Sequence, residues 1–214
     1  MYIYLMRKTR FILLIAGLLL ESCGSEKTSK ADNDKLNSAN KPMAGLSHKD
    51  SVELDFKSRI ERIPLGDLNG DGIADTAIVS PPRFISPGNP IDGCQDDSCL
   101  CRIHFTCNLP DLTGVFGIGE VIANVGDLDN NGYCEISLVP EWFSSVWQAL
   151  YVYGFRNGKW QLFGTGTCNL NSLDSDPDFF KNRVKKMDSM HLKIISDSLT
   201  EDSLLPCAKI YTIK

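Results

Sequence analysis

From residue 51 onward, short apolar runs alternate with turn residues, and no long stretch keeps a helical period. "RIERIPL", "DTAIVSP", "CRIHFTC", "GEVIANV", "EISLVPE", "HLKIISDS" and "CAKIYTIK" each read as a strand, bounded by Gly, Pro, Asn or Asp. The clearest element is "WQALYVYGFRNGKWQLFGTG", residues 147–166, in which Asn157-Gly158 separates two β-rich runs. A two-residue Asn-Gly turn fixes the pairing. Arg156 then faces Lys159, Phe155 faces Trp160 and Tyr153 faces Leu162. Tyr151, Tyr153, Phe155, Trp160 and Leu162 share one face; Leu150, Val152 and Phe163 share the other. Both faces are apolar, which predicts a sheet covered on both sides. The best helical stretch is "DPDFFKNRVKKM", residues 176–187, opened by Asp and Pro. The fold class expected is all-β and mainly antiparallel, with at most one or two short helices.

The first fifty residues follow different patterns. "FILLIAGLLL", residues 11–20, is an apolar run preceded by Arg7, Lys8 and Arg10. Ten residues are too few to span a bilayer as a helix and suit the apolar region of a signal peptide. Met6 is an alternative start, since "MYIYL" adds nothing to such a signal. Residues 24–50 are polar and show no apolar period, so they bury too little surface to offset their ordering entropy. The expected division is a signal peptide over 1–23, a flexible tether over 24–50 and a β-rich domain over 51–214.

The stretch "LESCGS" around Cys23 resembles the lipobox of bacterial lipoproteins, with Leu20 three residues before the cysteine and Ser22 just before it; Glu21 departs from the pattern. The resemblance implies cleavage before Cys23 and a lipid on its thiol, hence a membrane anchor in the bacterial cell envelope. No aspartate follows Cys23, and in that family an aspartate there marks inner-membrane retention; the resemblance therefore points to the outer membrane.

Export permits disulfides. Seven further cysteines, Cys94, Cys99, Cys101, Cys107, Cys134, Cys168 and Cys207, are candidates, and their odd number leaves at least one unpaired within the chain. The run from Cys94 to Cys107 encloses His104 and offers zinc as an alternative, but it lacks the Cys-x2-Cys spacing of zinc ribbons and fingers.

A repeat carries the candidate chemistry. "GDLNGDGIAD", residues 66–75, returns as "GDLDNNGYCE", residues 126–135. Counted from the first aspartate, Asp67, Asn69, Asp71 and Asp75 correspond to Asp127, Asp129, Asn131 and Glu135, at positions 1, 3, 5 and 9. Glycine stands at position 6 in both loops, and Ile73 and Tyr133 at position 7 offer backbone carbonyls. Alternating oxygen ligands around a glycine turn suit calcium, which takes six to eight oxygens. Each loop keeps three carboxylates among its four side-chain ligands, with Asn and Asp exchanged between positions 3 and 5. An EF-hand is excluded, because position 12 is Ile78 or Leu138 and strands follow both loops.

These loops resemble the FG-GAP, or integrin-α-like, repeat. That resemblance implies β-sheet blades with calcium held between strands, and blades that build a propeller. At a spacing of 60 residues the domain holds fewer than three repeats, whereas a closed propeller takes four to eight blades. An incomplete propeller or a compact β domain of blade-like repeats is therefore expected.

Other features are weaker. Asp174, Asp176 and Asp178 read as a solvated turn capping the short helix. His48, His104 and His191 form no paired motif, and no nucleophile elbow or phosphate loop occurs, so no catalytic residue is assigned. Trp142, Phe143, Trp147 and Trp160 read as core, with a glycan platform as the alternative. The net charge of −5 argues against nucleic acid. The functional expectation is a lipid-anchored binding or scaffold module of the envelope, with a protein or glycan ligand. The alternatives are a small hydrolase of envelope polymers and a subunit of an assembled propeller.

Overall fold

In the computed structural model of the chain, residues 47–214 are described, apart from 97, 143–144, 200–202 and 214. The expected signal peptide, Cys23 and the tether up to residue 46 lie outside them. The described chain begins with helix α1 (His48–Ser58). It continues through β1 (Glu61–Gly66), β2 (Asp75–Ser80), β3 (Phe84–Ser86), β4 (Asn89–Cys94), β5 (Leu100–Phe105) and β6 (Leu112–Phe116). Next come β7 (Gly119–Gly126), β8 (Glu135–Glu141), β9 (Trp147–Arg156) and β10 (Lys159–Asn169). Helices α2 (Leu170–Ser175) and α3 (Phe179–Arg183) follow, then β11 (Val184–Lys186), β12 (His191–Leu199) and β13 (Leu204–Thr212).

Every strand pair is antiparallel. The first sheet has the order β1-β2-β5-β6, the second β7-β8-β9-β10 and the third β11-β12-β13, with β3-β4 as a separate hairpin. Among the described residues no sheet closes on itself. The all-β, mainly antiparallel expectation holds. The first two sheets share one plan: a four-stranded meander whose first two strands are joined by an acidic loop. In the first sheet the β3–β4 hairpin is inserted between the second and third strands.

Alternation along the strands builds two cores. Leu65, Ala77, Val79, Ile103, Phe105, Leu112 and Val115 from the first sheet join Ile122, Ile136 and Leu138 from the second. Tyr151, Tyr153, Phe155 and Trp160 pack against this cluster. The opposite face of the second sheet supplies Val139, Leu150, Val152, Phe163 and Cys168, which meet Leu173, Phe179, Val184, Leu192 and Ile194. The second sheet is thus buried on both sides, as the apolar hairpin faces required; only Leu162 stays half exposed. The hairpin has the expected register, with Arg156 opposite Lys159 and Phe155 opposite Trp160. Asn157 and Gly158 both have positive φ, 54° and 76°, as a type I′ turn needs. A bulge after Leu162 then shifts the register.

Among the described residues there are three helices, where one or two short ones were expected. Residues 48–50, assigned to the tether, belong to α1, whose N-cap Ser47 accepts from Asp50 N–H at 3.2 Å. Only Val52 of this helix is buried, so an apolar stripe is missing from its sequence. Ser47-x-x-Asp50 is a capping signal that marks its start. Arg59 ties α1 down, with Nε 3.0 Å from Asp55, Nη2 donating to Pro82 O, and its guanidinium stacked on Phe84. The single helix expected over 176–187 is replaced by α3 and β11, with α2 ending just before it. Asp176 is extended, as a residue before proline prefers, and it breaks the helix there. Val184 to Lys186 then pair with β12.

The inter-sheet core holds one unexpected acid. Glu120 on β7 is 3% exposed, and neither carboxylate oxygen has a hydrogen-bond partner. The Cys101 thiol lies beside it but is directed to Gly117 O at 3.4 Å. Burial pushes Glu120 up to about 8, eased by Cys101 and reinforced by Glu141. The folded state therefore holds this proton more tightly than the unfolded chain. Stability is fullest below the ordinary value of 4.5 and falls as pH rises towards 8. Glu120→Gln is expected to gain on wild type by roughly 3 kcal/mol between pH 5 and pH 8 in urea denaturation. Parallel pH profiles for the two proteins would refute this.

Candidate metal centre

The two acidic loops share most of their internal wiring. In each, the position-2 leucine N–H donates to the position-9 carboxylate: Leu68 to Asp75 at 2.9 Å, and Leu128 to Glu135. The first aspartate accepts from the position-6 glycine, Asp67 from Gly72 at 2.8 Å and Asp127 from Gly132 at 3.0 Å. Position 3 accepts from the N–H of position 5, and position 5 from that of position 7. Position 4 is left-handed in both loops, at Gly70 (φ 77°) and Asn130 (φ 62°). The flanking strands match as well. Gly66 pairs with Asp75 and Gly126 with Glu135, each after a register shift.

The leucines anchor the loops. Leu68 is fully buried in the core between the first and second sheets, while Leu128 is buried in the core on the other face of the second sheet. Burying one leucine contributes about 1.5–3 kcal/mol. Neither residue was assigned a role from sequence, although leucine at position 2 of both loops was a visible signal. The loops also touch. Cys134 N–H donates to Leu68 O at 2.8 Å, and a Cβ on Gly70 would stand 2.8 Å from Gly132 O.

The loops differ in what they gather. Ligand oxygens of Asp127, Asp129 and Glu135 lie within 4.8 Å of one another. Among the described residues no other group of three acidic, histidine or cysteine ligands does so. The exchange of Asn and Asp explains this. Positions 1, 3 and 9 converge, and the second loop places a carboxylate at all three. The first loop has Asn69 at position 3, and its third carboxylate, Asp71, turns to Ile73 N–H and the Asn69 amide. Asn131 and the Tyr133 carbonyl complete the second set of candidate ligands, and the Ile73 carbonyl the first.

Glu135 supplies the test of fit. It is 0% exposed, and its Oε1 has no hydrogen-bond partner. Such an oxygen is costly to bury unless a cation or donor meets it. Burial pushes the group up to about 8, with Leu128 N–H opposing and Asp129 and Asp127 adding to the rise. Burial also raises Asp129, opposed by Asn131 N–H and Arg156. Three hard oxygen donors at one buried point fit a divalent cation. Two basic side chains, which the sequence did not connect with the loop, reach it from outside: Arg156 Nε at 3.2 Å from Asp129 and Lys186 Nζ at 2.7 Å from Asp127 O.

The remaining candidates are dispersed. Cys94 and Cys99 form a disulfide; Cys101, Cys107, Cys134, Cys168 and Cys207 are free thiols. The zinc alternative has no geometry behind it, because Cys101 faces the core from β5 while His104 lies on the exposed face, paired with Asp111. Trp160 packs on Phe105 and Phe155 and donates to Pro110 O, so it is core. Trp142 stacks on Phe116, and Phe143 lies outside the described residues. Asp176 accepts from Asp178 N–H and from Asn182, as a cap between α2 and α3.

No protein-family model, no curated protein and no solved structure matches the chain.

The loop contact makes a prediction that separates two glycines. Gly70 and Gly72 are both left-handed, but a Cβ on Gly72 meets nothing within 4 Å. Gly72→Ala is expected to cost about 1–2 kcal/mol of conformational strain. Gly70→Ala adds a backbone clash and is expected to cost about 1–3 kcal/mol more. Urea denaturation of both variants checks the difference, and equal losses would refute the contact.

Proposed function

We propose that this protein is a lipid-anchored component of the bacterial cell envelope whose β domain is braced by calcium and acts as a binding or scaffold module. The observation that carries the reading is the convergence of Asp127, Asp129 and Glu135 around a buried, unpartnered Glu135 oxygen. The second loop is the stronger site, with three converging carboxylates. The first loop, with Asp67, Asn69, Asp71, Asp75 and the Ile73 carbonyl, repeats the wiring with one fewer. The cation's role is structural. It offsets repulsion among the acids and ties the start of the loop to the strand that leaves it. The likeness to FG-GAP loops supports calcium, and the meander with its loop between the first two strands is consistent with a blade. Cys23 and the polar stretch after it support the anchor.

One observation favours assembly as a second reading. β13 is the edge of the third sheet and is exposed along almost its whole length, including Leu204, Leu205 and Ile210. An uncovered apolar edge of this kind suits pairing with further blades.

Calcium at 10 mM is expected to stabilise the wild-type chain by about 1.4–2.7 kcal/mol if the dissociation constant is about 0.1–1 mM. EDTA reverses the gain, and Asp127→Ala removes most of it. Terbium, which shares calcium's oxygen preference, reports on the second loop through sensitised emission from Tyr133; Ile73 gives the first loop no such antenna. Absence of both a melting shift and sensitised emission would end the calcium reading. Labelling with radioactive palmitate, lost in Cys23→Ser, checks the anchor separately.

A further inference from the structure

We propose that the outer face of the third sheet is a docking surface for an anionic lipid bilayer. The inference rests on the envelope-anchor reading above, since a lipid on Cys23 holds the domain beside such a bilayer.

Strand alternation defines the face. Val184 of β11 and Leu192 and Ile194 of β12 enter the core shared with the second sheet. Their neighbours Lys185, Lys193 and Ile195 therefore point to the opposite side. Lys185 stands directly opposite Lys193, and Lys193 directly opposite Ile210 of β13, so one row crosses all three strands. At one end of the same face Leu199 stands opposite Leu204. At the other, Met187 and Met190 lie in the turn between β11 and β12, where Met187 N–H donates to His191 O at 2.9 Å.

Apolar exposure is concentrated here. Among the described residues fourteen large apolar side chains are exposed, and six of them lie between residues 187 and 210. Met187, Met190, Leu199 and Ile210 are each more than half exposed. An exposed apolar patch bordered by charge marks a surface that meets a protein or a membrane.

Charge selects the occupant. Like charges directly opposite each other on neighbouring strands repel. Lys185 and Lys193 are both half-buried, and among the described residues neither takes part in an ion pair. Residues 181–214 hold seven Lys and Arg against four Asp and Glu, in a chain whose net charge is −5. The two described acids of this stretch are already engaged: Asp197 is buried against Arg183 at 2.6 Å, and Asp188 pairs with His191 at 2.9 Å. An anionic partner offsets the lysine pair. A second copy of this face does not, because it brings four lysines together. Nucleic acid supplies phosphates but leaves the aliphatic side chains in water. A bilayer surface answers both needs. Headgroup phosphates take the ammonium groups, and the boundary with the acyl chains takes Met187, Met190 and Ile210. The face is separate from the β13 edge, since side chains make this contact and the edge offers its backbone.

The test uses the full chain carrying Cys23→Ser, so that no attached lipid contributes. The probes are vesicles of phosphatidylcholine, with or without about 30% phosphatidylglycerol. Co-sedimentation is expected to be stronger with the anionic vesicles and to weaken as salt rises. Lys185→Gln combined with Lys193→Gln is expected to weaken it about tenfold to thirtyfold. Lys57→Gln combined with Lys159→Gln removes the same charge elsewhere and is expected to leave binding near wild type. A readout on the unsubstituted face uses nanodiscs of the same anionic lipids. There the Met187 and Met190 methyl signals, followed by NMR, are expected to be shielded from a water-soluble gadolinium chelate. Equal binding to both vesicle types, equal losses in the two double variants, or unshielded methyls in the bound chain overturns the docking face. Binding to polyglutamate in place of vesicles, lost in the Lys185 and Lys193 double variant, overturns the lipid and assigns the face to an acidic protein. Palmitate labelling at Cys23 without vesicle binding overturns this inference and leaves the anchor reading intact. Vesicle binding without palmitate labelling supports the face and removes the anchor.

Discussion

One hydrogen bond, made twice, organises this domain: the N–H at the second position of each acidic loop donates to the carboxylate at the ninth. It closes the loop across its mouth and sends the leucine that carries the N–H into a core. Because Leu68 and Leu128 enter opposite faces of the second sheet, the loops act as pegs on either side of it. Burial of the leucine and closure of the loop are one event. Neither is independent of the packing between sheets.

The second sheet is where those constraints meet. Its strand β8 is buried at six of its seven residues, and β9 alternates between the two cores. Polar groups inside it need partners, and most have them: Ser137 donates to Tyr151 O, and Asn124 reaches across to Leu65 O. Glu120 and Glu135 are the acids that lack a full set. They differ in setting. Glu135 belongs to a group of oxygens gathered at one point, whereas Glu120 faces a thiol and one further glutamate. The first arrangement suits a cation, and the second makes the group a source of pH sensitivity.

Shared wiring in the two loops does not give identical chemistry. Moving one amide from position 5 to position 3 changes how many carboxylates converge, because position 5 is turned back to its own backbone in both loops. Among the described residues, basic side chains from elsewhere then reach the richer loop and not the other, through Arg156 and Lys186. Counting acids along each loop does not reveal this, since both counts are three.

The sequence by itself determined the all-β class, the hairpin register and the covered faces of its strands. Period-two alternation and an Asn-Gly turn are local and leave little freedom. It also marked the candidate ligand positions of both loops, because their spacing repeats. The short helices were poorly legible. α1 buries one side chain and so writes no stripe, and Asp176-Pro177 marks a break between helices where a start was expected. Tertiary structure alone decided which acids meet, where the two leucines go, which cysteines pair, and that Arg156 stands on Asp129. Each of these depends on residues brought together across sheets, and side-chain chemistry at such distances leaves no trace in spacing along the chain.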